Sequence, residues 1–237
     1  MRSSQSKFVY FRDLLYILCM KITLLLTFFL SLSATATKLE FISLSNIHPT
    51  QAFVGHDQIP LKIEKIQKKL KKKKLDSYLK EKWSPAIIGP DEKYWILDRH
   101  HLSYALLKSD IADKYKGLYI RVLHDWSSYS WNHFYNSMKR ENLFYLKNCK
   151  FEEISPEEIP TQINTLGNNP YRSLAYFARE KGCFNKVDIP YLEFMWGEFF
   201  YRNGLTIKES ANNKKLIKKA LSLCSKSSAS HLPGFKH

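Results

Sequence analysis

Asp98-Arg99-His100-His101 is the densest group of chemically capable side chains in the sequence. An arginine offers a planar, permanently charged fork that fits phosphate oxygens. A histidine can give or take a proton near neutral pH. An aspartate beside them can orient a histidine, cap a helix or help hold a metal. Together these types suit phosphoester chemistry, with His100, His101 and Asp98 as the candidate catalytic groups and Arg99 as the phosphate ligand. Successive helical residues point about 100° apart, so one histidine is expected to face a cleft and the other to pack. Adjacent histidines lack the i, i+4 spacing by which one helix face chelates a metal. A divalent metal cofactor would need His48, His56, His124 or His133 to complete its shell in space, so no metal ligand is assigned.

The surrounding elements explain how the cluster is presented. Ala86-Ile87-Ile88 reads as a buried strand, Gly89-Pro90-Asp91-Glu92 as a turn and Lys93 to Leu97 as the return strand of a hairpin. Asp98 falls where a helix N-cap belongs, and Leu102, Ala105 and Leu106 form the apolar side of a helix ending near Lys108. The start of a helix carries unpaired N–H groups and partial positive charge, which suits an anion. Gln51 and Gly55 are candidate phosphate-binding partners from the opposite wall, where glycine allows either a positive φ or a close approach. From Pro60 a further helix buries Ile59, Ile63, Ile66 and Leu70. Its other face carries Lys62, Lys65, Lys69 and Lys72, a candidate polyanion surface.

Elsewhere the first half reads as a strand over Lys38–Leu44, a break at Asn46-Ile47-His48-Pro49, a short helix over 76–82 and a strand over Gly117–Leu123. The order β–α–β–β–α–β predicts an α+β core with one mixed sheet over residues 37–128. From Ser130 onward the pattern is helical and aromatic. Helices are expected over 131–146, 156–166, 171–181, 190–201 and 207–225, forming a helical extension over 129–237 packed on the core. The aromatic stripes on these helices are expected to be core.

The chain of 237 residues is 44% hydrophobic, enough for one or two domains with a sizeable core. Lys and Arg number 37 against 22 Asp and Glu, a net charge of +15 that favours nucleic acid or another phosphate-rich polyanion as partner. Lys21, an apolar run of about a dozen residues and Ala34-Thr35-Ala36 form a signal-peptide pattern over residues 1–36, with translation starting at Met20. A periplasmic or secreted destination follows, with transient membrane contact through the leader. An uncleaved anchor is the alternative. Beyond Cys19, three cysteines remain, allowing one disulfide of undetermined pairing and one thiol. No CxxC spacing offers zinc ligands. The spacing leaves the oligomeric state open.

The run P-x-I-I-G-P-D-x-x-Y-W-I-L-D-R-H-H from Pro85 to His101 resembles the ParB-like nuclease family, a branch of the ParB/sulfiredoxin superfamily. Further matching pieces are Pro49-Thr50-Gln51 with Val54-Gly55, Asn169-Pro170-Tyr171-Arg172-Ser173-Leu174, Glu193-Phe194-Met195-Trp196 and Leu232-Pro233-Gly234. The resemblance spans about Leu39 to Gly234. It implies a ParB/sulfiredoxin-like α+β core, a helical C-terminal extension and a phosphate site at the helix start occupied here by Asp98–His101. The superfamily includes partition proteins that bind DNA, sulfiredoxins and free-serine kinases. Sulfiredoxin's Gly-Cys-His-Arg motif and the G-x-R-R character of partition proteins are both missing, and no cysteine lies near the cluster. Three activities are therefore carried forward: an exported nuclease or phosphoesterase, a binding protein for nucleic acid, nucleotide or other polyanion without turnover, and a nucleotide-dependent small-molecule kinase.

Overall fold

The structure, a computed structural model, describes residues 38–236. The leader expected over residues 1–36 lies outside the described residues. Among the described residues no helix is long and apolar enough to cross a membrane.

The chain begins with β1 (Glu40–Ser43), β2 (Ile47–Pro49) and β3 (Phe53–Val54), followed by α1 (Ile59–Lys71) and α2 (Leu75–Glu81). The hairpin β4 (Ser84–Ile88) and β5 (Tyr94–Ile96) leads into α3 (His100–Lys108), β6 (Gly117–Asp125) and α4 (Trp131–Arg140). After β7 (Gly167–Asn168) come α5 (Pro170–Glu180), α6 (Leu192–Arg202) and α7 (Lys214–Cys224). Five strands form one mixed sheet in the order β1-β6-β4-β5-β2, and β3 pairs in parallel with β7 in a small second sheet. The expected α+β class and mixed sheet are both present, and the region after β6 is mainly helical.

The central strands are apolar on both sides because both sides are covered. On β4, Ala86 packs toward α1, α2 and α3 with Ile66, Leu79 and Leu106, while Ile87 packs toward α4 with Phe134 and Met138. Ile96 and Trp95 divide in the same way on β5. A third core joins α5, α6 and α7 around Trp196, whose ring stacks on Phe184 at 4.4 Å. A disulfide between the buried Cys183 and Cys224 ties this core together, and Cys149 is the free thiol among the described residues.

Several expected boundaries shift for local reasons. Asn46 to Pro49 does not simply break the chain: Ile47–Pro49 is an edge strand parallel to β5, a place where proline is tolerated. The helix expected to run to Leu146 ends at Arg140. Asn142 turns to φ 53°, and Tyr145 and Lys147 then bridge to Gln51 and Glu153. The helix expected over 156–166 is two 3-10 turns, Pro156–Glu158 and Ile163–Thr165, separated by Pro160, which cannot donate to a continuing helix. The last helix starts at Lys214 rather than Ile207, because Asn213 accepts from the Lys215 and Leu216 N–H groups and sets its start. The Asp57 carboxylate meanwhile holds Ala211 N–H at 2.6 Å in the preceding loop.

Candidate anion site at the start of α3

The start of α3 is built from the end of the hairpin. Leu97 N–H donates to the Pro85 carbonyl, and the Ser84 hydroxyl donates to the Asp98 carbonyl at 2.9 Å, which anchors the turn to β4. Arg99 is the N-cap residue and sits in the left-handed region at φ 71°, ψ 14°. Such a backbone is uncommon for a residue with a side chain and is held by its surroundings. Asp98 is therefore not the N-cap. One of its carboxylate oxygens accepts from Arg99 N–H at 2.6 Å and the other pairs with Arg99 Nη1 at 3.0 Å. Arg99 Nε donates to the Trp83 carbonyl at 3.2 Å. The guanidinium is thus held in place, and no side chain caps α3.

Both histidines turn inward. His100 Nε2 accepts from Thr50 N–H at 3.1 Å, and Thr50 Oγ1 donates to the Ile96 carbonyl. His101 Nε2 accepts from Gly55 N–H at 2.8 Å. An Nε2 that accepts from a backbone amide belongs to a neutral imidazole with its proton on Nδ1. Burial lowers the His100 pKa to about 4. Burial, reinforced by the charges of Arg172 and Lys62, holds His101 well below the usual histidine range. The expectation that one ring faces a cleft and the other packs does not describe this geometry. The segment from Thr50 to Gly55 curves past the helix start, so residues 100° apart both reach it.

Gly55 has an ordinary backbone, with φ −87°. Its value is space: a Cβ there would lie 2.4 Å from Ser173 Oγ and 2.9 Å from Ser173 N. The missing side chain lets the first turn of α5 come against β3. Gln51 is buried, and its amide donates to the Phe53 carbonyl at 2.6 Å rather than joining the charged group.

The approach of α5 brings in a residue to which the sequence reading gave no role. Asn169 caps α5 through the Arg172 N–H and Pro170 occupies its first turn, which fixes Arg172 at the α3 start. Arg172 pairs with Glu193 at 3.5 Å, and its guanidinium lies 5.6 Å above the Phe194 ring. Its Nη1 is buried and has no hydrogen-bond partner. Arg179 holds the other Glu193 oxygen. Asparagine followed by proline and then, two residues on, arginine is the local signal that would have placed this side chain.

Lys62 is the second surprise. It was expected on the outer lysine face of α1, yet it turns toward α3. Burial, then the charges of Arg172 and Arg99, push its ammonium down to about 8, with Asp98 opposing them. It makes no hydrogen bond or ion pair with any described residue. Lys65 and Lys69 lie over the Tyr78 ring at 5.3 and 5.5 Å, and Lys72 is exposed at the end of the helix. Among the described residues no group of three or more His, Cys, Asp or Glu side chains is placed to hold a metal ion.

The family described as "Putative ParB-like nuclease" matches residues 41–202, and the chain belongs to it. The crystal structure of protein Atu1540 from Agrobacterium tumefaciens superposes with a TM-score of 0.72 at 27% identity, over 84% of this chain and 97% of that one. The same ParB-like fold is thus seen in a solved structure. No curated protein matches the sequence.

Proposed function

We propose that the protein is an exported nuclease or phosphoesterase that binds a phosphoester at the start of α3. One observation carries this reading: Lys62, Arg99 and Arg172 converge where Asp98 and Glu193 supply negative charge, and Arg172 Nη1 and the Lys62 ammonium have no hydrogen-bond or ion-pair partner among the described residues. A buried guanidinium N–H without a partner is costly and is retained where an anion completes it, and the half-buried Lys62 adds positive charge beside it. In this reading Arg99 and Arg172 grip the phosphate oxygens and Asp98 fixes the Arg99 fork. The histidines shape the site by fastening residues 50–55 to α3. Family membership supports the nuclease side of the assignment.

Export is supported by the leader and by the Cys183–Cys224 disulfide, since such bonds persist in oxidising compartments. Binding without turnover is the second reading. It is favoured by the histidine geometry, because each Nε2 is already engaged by a backbone amide. Incubation of the purified protein with single- and double-stranded DNA and RNA, with and without Mg²⁺ or Mn²⁺, separates the two. Cleavage that disappears in Arg99→Met supports the first reading. Binding that weakens steeply with salt while all substrates stay intact supports the second. Neither binding nor cleavage sinks both.

A further inference from the structure

If the site cleaves a phosphoester, something must supply a proton to the departing oxygen, and the usual candidates are committed. His100 and His101 are neutral and give their Nε2 lone pairs to Thr50 and Gly55. Asp98 is tied through both oxygens to Arg99. Arginine does not release its proton in proteins. Lys62 remains. Its helix α1 packs against α3, and the half-buried Lys62 lies within electrostatic range of Arg99 and Asp98 at the β5–α3 junction, His101 on α3, Arg172 on α5 and Lys65 on its own helix. Its ammonium makes no hydrogen bond or ion pair with a described residue, so its three N–H groups are available to a ligand.

We propose that Lys62 is the proton donor of this site, contacting the bound phosphoester beside Arg99 and Arg172 and protonating its leaving oxygen. The inference rests on the phosphoester reading above. A water oxygen bonds to phosphorus as the bond from phosphorus to the leaving oxygen breaks. The Lys62 ammonium passes one proton to that oxygen, and the attacking water releases one to solvent, from which the amine is reprotonated. The products are a phosphomonoester and an alcohol when the substrate is a diester. Burial first, and then the guanidiniums that hold the phosphate, make Lys62 a better acid than an exposed lysine.

Two measurements on the full chain test this. The first is calorimetric binding of sulfate, whose charge is constant from pH 6 to 9.5. Wild-type affinity is expected to fall by about tenfold or more as Lys62 loses its proton above pH 8. Lys62→Arg, which stays charged, is expected to bind evenly across the range. The second compares Lys62→Met with wild type on a single-stranded oligonucleotide and on bis(4-nitrophenyl) phosphate, whose leaving group needs no proton. General-acid catalysis is worth about 10²–10⁴-fold, so oligonucleotide cleavage should fall by at least about 10²-fold and the nitrophenyl ester by much less. Equal losses on the two substrates, or a wild-type sulfate affinity unchanged with pH, overturn the role of Lys62 and leave the anion site standing. Sulfate binding without any cleavage overturns the donor role together with the cleavage reading and leaves binding without turnover. Failure to bind sulfate at any pH removes the phosphoester reading and Lys62 with it.

Discussion

His101 Nε2 accepts a hydrogen bond from Gly55 N–H at 2.8 Å, and this bond joins the start of α3 to the strand against which α5 packs. Its neighbour His100 makes the equivalent bond to Thr50. Both bonds exist only while the rings are neutral.

The pH dependence of stability follows from that requirement. The folded His100 titrates at about 4, against about 6.5 for an unfolded histidine. Above pH ~6.5 both states are neutral and the full contribution is present. As pH falls from about 6.5 toward 4, the unfolded chain binds protons that the folded chain refuses, and stability is lost. His100 alone accounts for roughly 3 kcal/mol over that window, and His101 adds a loss of the same sign. Thermal unfolding at pH 7.5 and 5.5, a range above most carboxylate titration, should show a steep fall in Tm for wild type. His100→Asn should be less stable at pH 7.5 yet lose less on acidification. A wild-type Tm that is flat over this range contradicts the neutral-histidine geometry.

The parts of this arrangement that were legible in the sequence are those set by local pattern. The β4–β5 hairpin follows from two apolar runs around Gly89-Pro90, and the apolar face of α1 from Ile59, Ile63, Ile66 and Leu70. The cluster at Asp98–His101 was legible as a charged helix start, but its internal roles were not. Which way His100 and His101 point is decided by the path of residues 50–55, a non-local fact. Arg172 and Lys62 reach the site from helices that the pattern could place only one at a time. The edge strand Ile47–Pro49 was hidden because its hydrogen bonds come from β5, more than forty residues away.

Arg172 should separate function from stability. Burial works against its charge and Glu193 supports it. Replacing it with methionine removes a desolvated cation, and Glu193 keeps Arg179 as its partner. Arg172→Met is therefore expected to keep or raise Tm while weakening sulfate or oligonucleotide binding by about tenfold or more, the pattern of a residue retained for its ligand. Glu193→Gln should do the reverse to stability. Burial tends to raise the Glu193 carboxyl, but Arg172 and Arg179 overcome it and keep it ionised. Neutralising it takes the anion from the Arg172 guanidinium and leaves Arg179 with the more exposed Glu180, a loss of about 3–5 kcal/mol. Urea unfolding of both variants checks the contrast, and a larger loss in Arg172→Met than in Glu193→Gln defeats it.

The Cys183–Cys224 disulfide should act on stability without touching the site. It closes a sequence separation of 41 residues between the end of α5 and the end of α7, and such links stabilise by about 2–4 kcal/mol. Arg172 lies at the other end of α5, a helix about 16 Å long. Cys183→Ala/Cys224→Ala is expected to lower Tm and the midpoint of urea unfolding while sulfate affinity at 20 °C stays within about twofold of wild type, a margin well under 1 kcal/mol. A reduced wild type should match the double variant. If loss of the bridge abolishes sulfate binding in protein that is still folded, the α5–α7 core positions Arg172 more directly than its contacts indicate.

The outer lysines of α1 give the last prediction. Lys62, Lys65, Lys69 and Lys72 are spaced by three and four residues, so they follow one side of a helix over about 15 Å. Lys62 lies within electrostatic range of Arg99 and Asp98 at the start of α3, and Lys65 and Lys69 lie over Tyr78, a ring that also senses the charge of Arg99. A polyanion gripped at Arg99 would therefore continue along this helix. Each phosphate neutralised on a single strand contributes about −0.7 to the slope of log affinity against log salt. Reversing Lys65, Lys69 and Lys72 together to glutamate should weaken binding of a single-stranded oligonucleotide and reduce the steepness of that slope by about 2. Sulfate, which reaches only the site itself and feels Lys65 only through Lys62, should lose far less affinity in the triple variant than the oligonucleotide does. If the variant keeps the wild-type salt slope, the lysines are only a solvated helix face and the polymer leaves the site by another path.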